Sequence, residues 1–459
     1  MKTVYEPARE LPVLAQVDVA VAGGGPAGFA AAVAAARQGA STWLVEQYGF
    51  LGGMVTAGLV LSIGGFNCWI EPYERVVAGI AGELIERAAK LGGAEDNEGF
   101  VLNTDPEVVK LVCDEMVAEA GVHVLLHSCA VAPYCEGARV RGLIVENKSG
   151  RGVILAHAVV DATGDADIAT RAGAPFRKSP NLQPMTLGII LGHVHGSQQE
   201  VERAKVSGLK QGGEFPQVLK LSRREDVMPS SEEMRQAREA GRLPVYGGPW
   251  FAGLHADRVW VNSTRLAGDA SDAESLARAE IQGRRDAWTL WRYFRENVPA
   301  LQDSVILSTG PHIGIRETRQ IVGDYQLTAA DIRNAARFVD AVALGCWPID
   351  VHPPDNVGVH GCFIPRPYQI PYRVMLPLGV EGLLVAGRSI SATQEAMGST
   401  RVAATCMALG QAAGVAAALA ACRGVTPRLI DVPGLQASLC EQGTKLETNA
   451  KTFRSQGVV

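Results

Sequence analysis

A glycine-rich run near the N-terminus constrains the fold more than any other part of the chain. Residues 17–38 read VDVAVAGGGPAGFAAAVAAARQ, so an apolar strand leads through Gly23, Gly25 and Gly28 into an alanine-rich helix. In such a unit the first glycine permits a tight turn and the second lets a pyrophosphate approach the backbone. The third allows the helix to pack closely on the sheet. The sequence therefore predicts a βαβ unit that binds a dinucleotide.

An acidic residue follows the next predicted strand. Glu46 ends the segment STWLVE and comes 18 residues after Gly28. A carboxylate at this position accepts hydrogen bonds from ribose hydroxyls and repels the additional phosphate of NADP. The free N–H groups at the helix N-terminus bind the phosphates of the dinucleotide. This part of the sequence predicts a site that NAD or FAD satisfies equally well.

Composition limits the class of protein. The chain has 459 residues and a net charge of −5, and its nine cysteines form no CxxC pair. The length favours two domains or one large discontinuous domain. The acidic balance gives no reason to expect a nucleic acid partner. The cysteine spacing favours buried thiols in a reducing, cytoplasmic compartment, and the N-terminal segment does not resemble a signal peptide.

One segment has the length of a membrane span. Residues 402–422 carry no charged side chain, and a stretch of about 20 apolar residues is enough to cross a bilayer. The segment is rich in alanine and glycine rather than leucine, and it contains Gln411. Because alanine favours lipid only weakly, we predict a helix buried on a sheet and no membrane partner.

The composition and the apolar pattern of the sequence change twice along the chain. Successive α/β units occupy residues 1–175, a charged and proline-punctuated region follows at 176–373, and the α/β texture returns at 374–459. We therefore predict an α/β protein with a discontinuous Rossmann-like cofactor domain, made of the first and third regions. The middle region is predicted to be an inserted α+β substrate domain.

Caps, alternation and apolar periodicity predict further elements outside the glycine-rich unit. These elements are a helix over 106–120 capped by Asp105, a hairpin of strands 139–145 and 152–158, a strand over 259–263, a helix from 271 or 272 to 298, and a helix over 331–344.

Two more signatures bring backbone close to a cofactor. The strand HAVVDATGD ends in Asp161, Ala162, Thr163 and Gly164. Near the C-terminus a strand meets Gly387, and Gly398-Ser399-Thr400-Arg401 is predicted to open a long helix. Such a helix start carries about half a unit of positive charge. In flavoproteins it stabilises the negative charge that develops on the pyrimidine edge of the reduced flavin.

Taken together, these signatures resemble a known family. The segments GGGPAG, EQYGFLGGM, DATGDAD, GIRETR, YQIPYRVMLP and AGRSISA…GSTR…GQAAG cover nearly the full length. The chain resembles the bacterial FAD-dependent oxidoreductases of the glutathione-reductase-like superfamily, in the branch that shares its layout with fumarate reductase flavoproteins. The resemblance implies a glutathione-reductase-type FAD-binding domain. The residues assigned to FAD are Gly23, Gly25, Pro26, Ala27, Gly28, Glu46, Gln47, Gly52, Gly53, Met54, Val131 (through its backbone, to the adenine), Ala162, Thr163, Gly164, Gly387, Arg388, Ser399, Arg401 and Val402.

The sequence departs from the disulfide reductases of that superfamily. Those enzymes carry a redox cysteine pair after the glycine pair, whereas positions 54–67 here hold no cysteine and Cys68 stands alone. There is also no second GxGxxG on a strand–helix unit. Disulfide chemistry and a stable NAD(P)H site are therefore not expected. Electrons are expected to pass through the substrate pocket or to an unidentified donor or acceptor.

Four residues are candidates for the chemistry. His312 and Arg316 lie in GPHIGIRETR, where the charged residues suit either an anion clamp or a structural ion-pair network. His352 follows Asp350 by two residues, so the acid can orient the imidazole as a base, or both can cap a proline-rich loop. Tyr372 precedes the return to the cofactor domain, although core packing is the default for a tyrosine. His193 and His195 lack further ligands nearby, so no metal is predicted.

These observations predict an FAD-dependent oxidoreductase that moves a hydride between flavin N5 and a carbon of a small polar substrate. Dehydrogenation of a C–OH or C–N carbon is favoured. A fumarate-reductase-like C=C reductase and a flavin monooxygenase remain as alternatives, and an electron-transfer subunit or flavin sensor is the non-enzymatic one. The sequence is compatible with an oligomer.

Overall fold

The computed structural model describes residues 2–69, 74–96, 99, 101–196, 229–353, 360–363 and 365–448. Much of the charged stretch that the sequence analysis placed in the inserted region, at 197–228, lies outside these residues. The secondary structure is mixed, with helices and strands alternating over the first half of the chain.

The strands are numbered in chain order. They are β1 (Val13–Ala22), β2 (Thr42–Val45), β3 (Ser62–Gly64), β4 (Val101–Asn103), β5 (His123–Leu125), β6 (Cys129–Glu136), β7 (Arg139–Asn147), β8 (Gly150–Asp161), β9 (Phe176–Lys178), β10 (Ile189–Gly192), β11 (Tyr246–Ala252), β12 (Arg258–Thr264), β13 (Val305–Thr309), β14 (Arg319–Ile321), β15 (Ala341–Gly345), β16 (Ile349–Val351), β17 (His360–Phe363), β18 (Tyr368–Pro371) and β19 (Leu383–Val385).

The helices are numbered in the same way. They are α1 (Pro26–Arg37), α2 (Ile80–Lys90), α3 (Pro106–Glu119), α4 (Asp167–Arg171), α5 (Ser231–Glu239), α6 (Ala273–Asn297), α7 (Ala329–Arg333), α8 (Gln394–Thr400), α9 (Ala403–Arg423) and α10 (Val432–Glu441). Short 3₁₀ turns lie at Pro299–Leu301, Tyr372–Met375 and Pro427–Leu429.

The main sheet carries the glycine-rich unit at its centre. Its strand order is β5-β2-β1-β8-β7-β6, and β19 pairs with β8 at the carboxyl end of that strand. The β5, β2, β1, β8 and β19 pairings are parallel, while β6 and β7 form an antiparallel meander. The predicted α/β class and Rossmann-like sheet are therefore confirmed, and the return of β19 shows that the sheet draws on both ends of the chain.

Helix α9 closes the main core against α1. A Cβ on Gly410 would lie 2.0 Å from the carbonyl oxygen of Ala27, and one on Gly414 would lie 2.1 Å from that of Ala31. The two helices therefore approach so closely that no side chain fits between them at these positions. α9 is long and apolar enough to cross a membrane by length and composition, but 83% of its most apolar window is buried inside the protein. The prediction of a buried helix is confirmed.

A second core belongs to the middle of the chain. The antiparallel sheet β11-β12-β10-β13 packs with α5 and α6, and the buried residues of this cluster run from Met185 to Ile315. Leu327, Tyr368 and Val374 instead pack into the main core. The domain boundaries at 175/176 and 373/374 stay a prediction.

Most of the locally predicted elements are present. Asp105 accepts a hydrogen bond from the N–H of Glu107 and caps α3, which begins at Pro106. β7 and β8 form the predicted hairpin. Asp272 caps α6 through the N–H of Ser275, within the predicted range.

The predicted helix over 331–344 is wrong. A capping box of Thr328 and Asp331 starts α7, but the helix ends at Arg333 and Ala335 adopts a positive φ of 48°. The apolar run AVALG is instead strand β15, buried throughout and paired with β18. A short apolar run fits a buried strand and a buried helix equally well, and here the pairing with β18 decided the outcome.

Candidate functional site

The glycine-rich turn connects β1 to α1. Gly23 has φ of +94°, a conformation that a residue with a side chain rarely adopts. A Cβ on Gly28 would lie 1.7 Å from the carbonyl oxygen of Gly23 and 3.1 Å from the Ala162 side chain. The helix therefore starts in direct contact with the turn and with the neighbouring strand end, as the motif predicts.

The first turn of α1 presents unpaired backbone donors. Pro26 is the first helical residue and has no N–H, and the first intrahelical bond runs from Phe29 to Gly25 over 2.9 Å. The N–H groups of Ala27 and Gly28 therefore have no helical acceptor. At Gly25 the nearest atom to a hypothetical Cβ is 3.8 Å away. This open helix start suits a pyrophosphate.

Glu46 lies at the carboxyl end of β2 and holds the turn. Its Oε2 accepts a hydrogen bond from the Gly24 N–H at 2.5 Å, and its Oε1 accepts one from Tyr48 at 2.9 Å. Burial raises the pKa of this carboxyl, whereas the backbone hydrogen bonds lower it. Carboxylate oxygens accept more than one hydrogen bond, so the predicted contact with a ribose stays compatible with these bonds. Gln47, the next residue, is exposed.

The second glycine pair packs on the first. Gly52 donates its N–H to the carbonyl of Gly24 at 2.9 Å. A Cβ on Gly53 would lie 2.6 Å from the Cα of Gly25. The sulfur of Met54 accepts a hydrogen bond from the Ile315 N–H at 3.4 Å. The loop therefore links the glycine-rich turn to the segment that carries Arg316.

Val131 lies where the β6–β7 pairing is irregular. Ala130 pairs with Val145 and Ala132 with Ile144, so Val131 is the extra residue of a bulge. A bulged residue leaves its backbone groups outside the regular ladder. The start of this strand is also tied to β2, because Ser128 donates its N–H to the Glu46 carbonyl at 2.9 Å. These features are compatible with the predicted backbone contact to an adenine.

The DATG segment is held by its own aspartate. Asp161 is buried and accepts hydrogen bonds from the Thr163 hydroxyl at 2.7 Å and from the N–H groups of Ile168 and Ala169. Ala162 donates to the Ala22 carbonyl at 2.9 Å. Asp161 thus fixes the strand end beside the glycine-rich turn.

Arg388 joins the strand end of β19 to this segment. Its Nη2 donates to Asp165 Oδ1 at 2.7 Å, and Ser389 donates its hydroxyl to the Gly164 carbonyl at 2.5 Å. A Cβ on the preceding Gly387 would lie 3.1 Å from that of Ala27. Gly164, Gly387 and Arg388, all predicted FAD residues, therefore meet at the start of α1.

The long C-terminal helix begins later than predicted. Gly398, Ser399 and Thr400 end the short helix α8, and α9 starts at Ala403 after Val402. Ser399 is not a cap, because its hydroxyl bonds the carbonyl of Trp347 and lies 2.6 Å from the Tyr368 hydroxyl. The chain kinks between the two helices, so the free N–H groups are those of the first turn of α9.

The starts of α1 and α9 lie together. A Cβ on Gly387 would lie 3.1 Å from the Cβ of Ala27 in α1 and 4.0 Å from the sulfur of Cys406 in α9. Two positive helix ends, the Glu46 carboxylate and the close-packed glycines therefore form one cradle. The residues present fit FAD, because the start of α1 could bind a pyrophosphate, Glu46 a ribose and the start of α9 the flavin's electron-rich edge.

A buried acid–base pair lies next to the start of α9. The Nη2 atom of Arg401 donates to the Asp350 carbonyl at 3.0 Å and to its Oδ2 at 3.3 Å. His352 Nε2 lies 3.1 Å from Asp350 Oδ1. His352 Nδ1 and Arg401 Nε are buried and have no hydrogen-bond partner among the described residues. The structure thus brings together two residues predicted for different roles.

Arg316 and Arg265 complete this group. Arg316 donates to the Pro184 carbonyl at 2.7 Å and to the Thr186 hydroxyl at 2.6 Å. Arg265 donates to the same hydroxyl at 3.0 Å. Both guanidinium groups interact electrostatically with Asp350. We call Arg265, Arg316, Arg401, Asp350 and His352 the arginine cluster.

Burial dominates the electrostatics of the cluster. Burial, reinforced by Arg265 and Arg401, lowers the pKa of Arg316 well below its usual range. Burial also lowers the pKa of His352 to about 4, although Asp350 opposes this shift. The pKa of Asp350 is lowered by His352, Arg401 and Arg316 in spite of its burial. At neutral pH the cluster therefore holds a neutral imidazole, an ionised aspartate and three guanidinium groups.

His312 lies outside the arginine cluster, near the cofactor cradle. Its Nδ1 lies 2.6 Å from the Ile313 carbonyl oxygen, and its ring meets that of Tyr48 edge-on at 5.8 Å. Burial lowers the pKa of this histidine. It therefore lies beside Tyr48, and its backbone N–H donates to the Ala57 carbonyl at 3.1 Å.

The predicted catalytic role of Tyr372 does not fit its surroundings. The side chain is fully buried in the main core, and its hydroxyl donates to the Pro427 carbonyl at 2.8 Å. The ring packs in the core and the hydroxyl is hydrogen-bonded to the backbone. Tyr372 therefore has the structural role that is the default expectation for a tyrosine. The neighbouring Arg373 pairs with Asp340 instead of entering the site.

Sequence reasoning missed Arg265, Thr186 and Gln183. Gln183 accepts a hydrogen bond from the His352 N–H at 3.0 Å, and Thr186 joins the two arginines described above. No motif surrounds these residues, and their proximity arises from tertiary packing. Within the described ranges, no group of three His, Cys, Asp or Glu side chains is arranged to hold a metal.

The fold and the cradle define a Rossmann-like, dinucleotide-binding flavoprotein. The family described as FAD dependent oxidoreductase matches residues 18–439. The chain belongs to this family, and it is therefore an FAD-dependent enzyme. The predicted family and cofactor are confirmed.

The chain is similar to several proteins whose sequences differ widely from its own. The chain is 32% identical over 171 residues to a digeranylgeranylglycerophospholipid reductase of Methanoculleus marisnigri, a match that spans 34% of this chain and 41% of the reductase. A geranylgeranyl bacteriochlorophyll reductase-like structure from Thermoplasma acidophilum is 14% identical, covers 93% of this chain and 83% of its own, and gives a TM-score of 0.47. A triple mutant of a flavin-dependent brominase is 10% identical, covers 93% and 84%, and gives 0.48.

Proposed function

We propose that this enzyme dehydrogenates a C–OH or C–N carbon of a small polar substrate. The observation that carries the proposal is the buried pair of His352 and Asp350 beside the start of α9, with Nε2 and Oδ1 3.1 Å apart. A neutral histidine that is oriented by a carboxylate is the usual base in proton abstraction. Because Arg401, two residues before α9, bonds to Asp350, such a base would lie near the flavin end of the cradle.

The residues around the glycine-rich turn would hold FAD. The amides of Ala27 and Gly28 would bind its pyrophosphate, Glu46 its ribose, and the first turn of α9 its electron-rich edge. When bound, FAD supplies the two-electron chemistry by taking up the hydride that leaves the substrate carbon. The partner that later removes these electrons is unidentified, and a cytoplasmic location and an oligomeric state stay predictions.

His352 would take the accompanying proton. In the tautomer that carries its proton on Nε2, which lies 3.1 Å from Asp350 Oδ1, the Nδ1 atom would present a lone pair, and it has no hydrogen-bond partner among the described residues. Burial lowers the pKa of His352 to about 4, so the imidazole is neutral at pH 7 and ready to accept a proton from a hydroxyl or amine. Asp350 stabilises the imidazolium that forms and acts as a positioning residue.

A C=C reductase is the second candidate. It is favoured by the partial similarity to a digeranylgeranylglycerophospholipid reductase. A reductase of this kind needs a residue that donates a proton to the substrate carbon. His352 is a poor donor in its resting state, because its low pKa leaves it unprotonated at neutral pH. The resting state of His352 thus matches the proton acceptor that dehydrogenation requires, whereas reduction would first have to protonate this residue.

Anaerobic mixing of the FAD-loaded enzyme with panels of polyols, hydroxy acids, amines and amino acids tests the proposal. We expect at least one class to bleach the flavin absorption band. If only dithionite reduces the flavin, and enoates reoxidise it, the enzyme is a reductase. If no substrate bleaches the band and no enoate restores it, both candidates are wrong.

A further inference from the structure

The arginine cluster holds more positive than negative charge. Three guanidinium groups, those of the buried Arg265 and the largely buried Arg316 and Arg401, interact with one close carboxylate, that of Asp350. Glu317 is the next acid that interacts electrostatically with Arg401. Its carboxylate accepts hydrogen bonds from the Gln183 N–H at 3.1 Å and from the Gln394 side-chain amide at 2.7 Å. Even with Glu317 ionised, one positive charge is left over. Burying a charge without a counterion costs several kcal/mol.

The excess charge cannot be relieved by losing a proton. A guanidinium group keeps its proton inside proteins, because its ordinary pKa exceeds 12. His352 is already neutral and removes no charge. An anion bound among the three arginines would relieve the repulsion that Arg316 receives from Arg265 and Arg401. The free Nε of Arg401 marks one donor for it.

The cluster is built for close approach of these groups. Arg265 follows strand β12 and packs over Gly247 of β11, where a Cβ would lie 2.4 Å from the guanidinium carbon. Thr186 donates its hydroxyl to the Thr264 carbonyl at 2.9 Å, so its lone pairs accept from both Arg265 and Arg316. The neutral hydroxyl holds the two cations side by side without neutralising either. This arrangement leaves their remaining donors for another acceptor.

We propose that the arginine cluster binds the carboxylate of the substrate, which is therefore a small organic acid with a hydroxyl or amino group on the reacting carbon. Arg265 and Arg316 come from the middle of the chain and Arg401 from its C-terminal part, so the acid would bridge the two cores. A planar carboxylate matches the fork of a guanidinium group, and paired bonds of this kind are the strongest that arginine makes.

The inference rests on the proposed function, and its step is balanced as follows. The substrate carbon loses a hydride to FAD, and its hydroxyl or amine loses a proton to His352. A C=O or C=N bond forms, and the carboxylate remains unchanged among the arginines. Neither an added oxidant beyond FAD nor a metal is required for this half-reaction.

Anion binding to the FAD-loaded enzyme tests the inference without turnover. Lactate, alanine and acetate are titrated against acetamide, phosphate and sulfate, with calorimetry and flavin difference spectra as readouts. We expect a carboxylate to bind saturably and acetamide not to bind. Arg265→Met should weaken carboxylate binding about 10- to 100-fold, as expected for loss of a charged hydrogen bond. Arg265→Lys should fall between, because it keeps the charge but loses the fork.

Two further variants serve as a second test of the site, in case Arg265→Met misfolds, and as a control for unspecific effects of losing an arginine. Thr186→Val removes the hydroxyl that holds Arg265 and Arg316, and it should weaken binding by a smaller factor even if Arg265→Met does not fold. Arg278→Met changes an exposed arginine of α6 that pairs with Glu274, and it should bind like the original protein. Equal affinities in the original, Arg265→Lys and Thr186→Val proteins would overturn the inference. So would tighter binding of phosphate than of any carboxylate.

The outcomes separate this inference from the proposed function. If carboxylates bind and no compound reduces the flavin, the anion site stands and the dehydrogenase is wrong. If neutral alcohols or amines reduce the flavin as well as the acids do, and Arg265→Lys has no effect, the dehydrogenase stands and the anion site is wrong.

Discussion

The FAD cradle and the arginine cluster are built in different ways. The cradle is mostly backbone, and its essential parts from Gly23 to Glu46 are close in sequence. The arginine cluster is made of side chains that lie between Arg265 and Arg401 in the sequence and meet only after folding. A backbone site depends on glycines, which leave a readable pattern. A side-chain site depends on packing, and its residues carry no pattern of their own.

The strongest test of this comparison is Gly28→Ala. Its Cβ would lie 1.7 Å from the Gly23 carbonyl oxygen, a backbone atom that cannot move without displacing the turn. We expect a loss of more than about 4 kcal/mol in the free energy of unfolding, and no bound FAD. Circular dichroism and the flavin content of the purified protein measure both effects.

Gly82→Ala is the matched control for that change. Gly82 also lies in a helix and is buried, but among the described residues no atom apart from its chain neighbours and the adjacent backbone of its own helix comes within 4 Å of its hypothetical Cβ. Alanine should raise stability by up to about 1 kcal/mol there. Equal losses in both variants would show that the contact with Gly23 is not what makes Gly28 necessary.

His352→Gln should reduce turnover and spare the cradle. Removal of the proposed base is expected to lower kcat by about 10²- to 10⁴-fold, while FAD stays bound. Stopped-flow reduction of the flavin and its absorbance per protein measure the two effects separately. His195→Gln alters a histidine at a similar distance, 3.2 Å, from an aspartate but at the surface, and it should react normally. Normal kinetics for His352→Gln would remove it from the mechanism.

Glu46→Ala should affect the cradle and spare the cluster. The change leaves the N–H groups of Gly24 and Tyr48 without their acceptor, at a cost of about 1–3 kcal/mol for each buried donor. We expect FAD affinity to fall at least 10-fold, and reconstituted enzyme to reduce at the original rate. Titration of apoprotein with FAD provides the measurement, and unchanged affinity contradicts the assigned role.

The smallest expected effect is a missing pH dependence. Above its pKa of about 4 His352 is neutral and can accept a proton, and this ability is lost as the pH falls through that value. The rate of flavin reduction per bound substrate should therefore stay level between pH 8 and pH 5. A histidine with an ordinary pKa would instead give a decline near 6.5. Such a decline in the original enzyme, absent in His352→Gln, would show that His352 is not desolvated as described.

Much of the cradle could be predicted from sequence, because each part obeys local rules. Gly23 needs a positive φ, Asp105 caps the helix that follows it, and the apolar β19 pairs as a parallel strand. Arg316 and His352 were also predicted as candidates, because a charged or titratable residue beside glycine or proline is a recognisable feature of the sequence. Their meeting with Arg265 could not be predicted, because it depends on how β12 and the segment after β13 fold over the main core.

The errors have the same origin. AVALG became strand β15 because β18 was available to pair with it, and residues 334–341 gave no local signal against a helix. The start of α9 was misplaced because α8 and α9 form two helices with a kink at Val402. Tyr372 was named for its position before the cofactor domain, whereas its environment in the core decides its role.

The contact between α1 and α9 has a consequence for how the enzyme matures. Ala27 and Ala31 leave the ribosome long before Gly410 and Gly414, yet these four residues must touch to complete the dinucleotide cradle. A nascent chain that ends before α9 has the glycine-rich turn but lacks the helix that packs against α1. We therefore expect FAD to bind only to chains whose synthesis has passed residue 423.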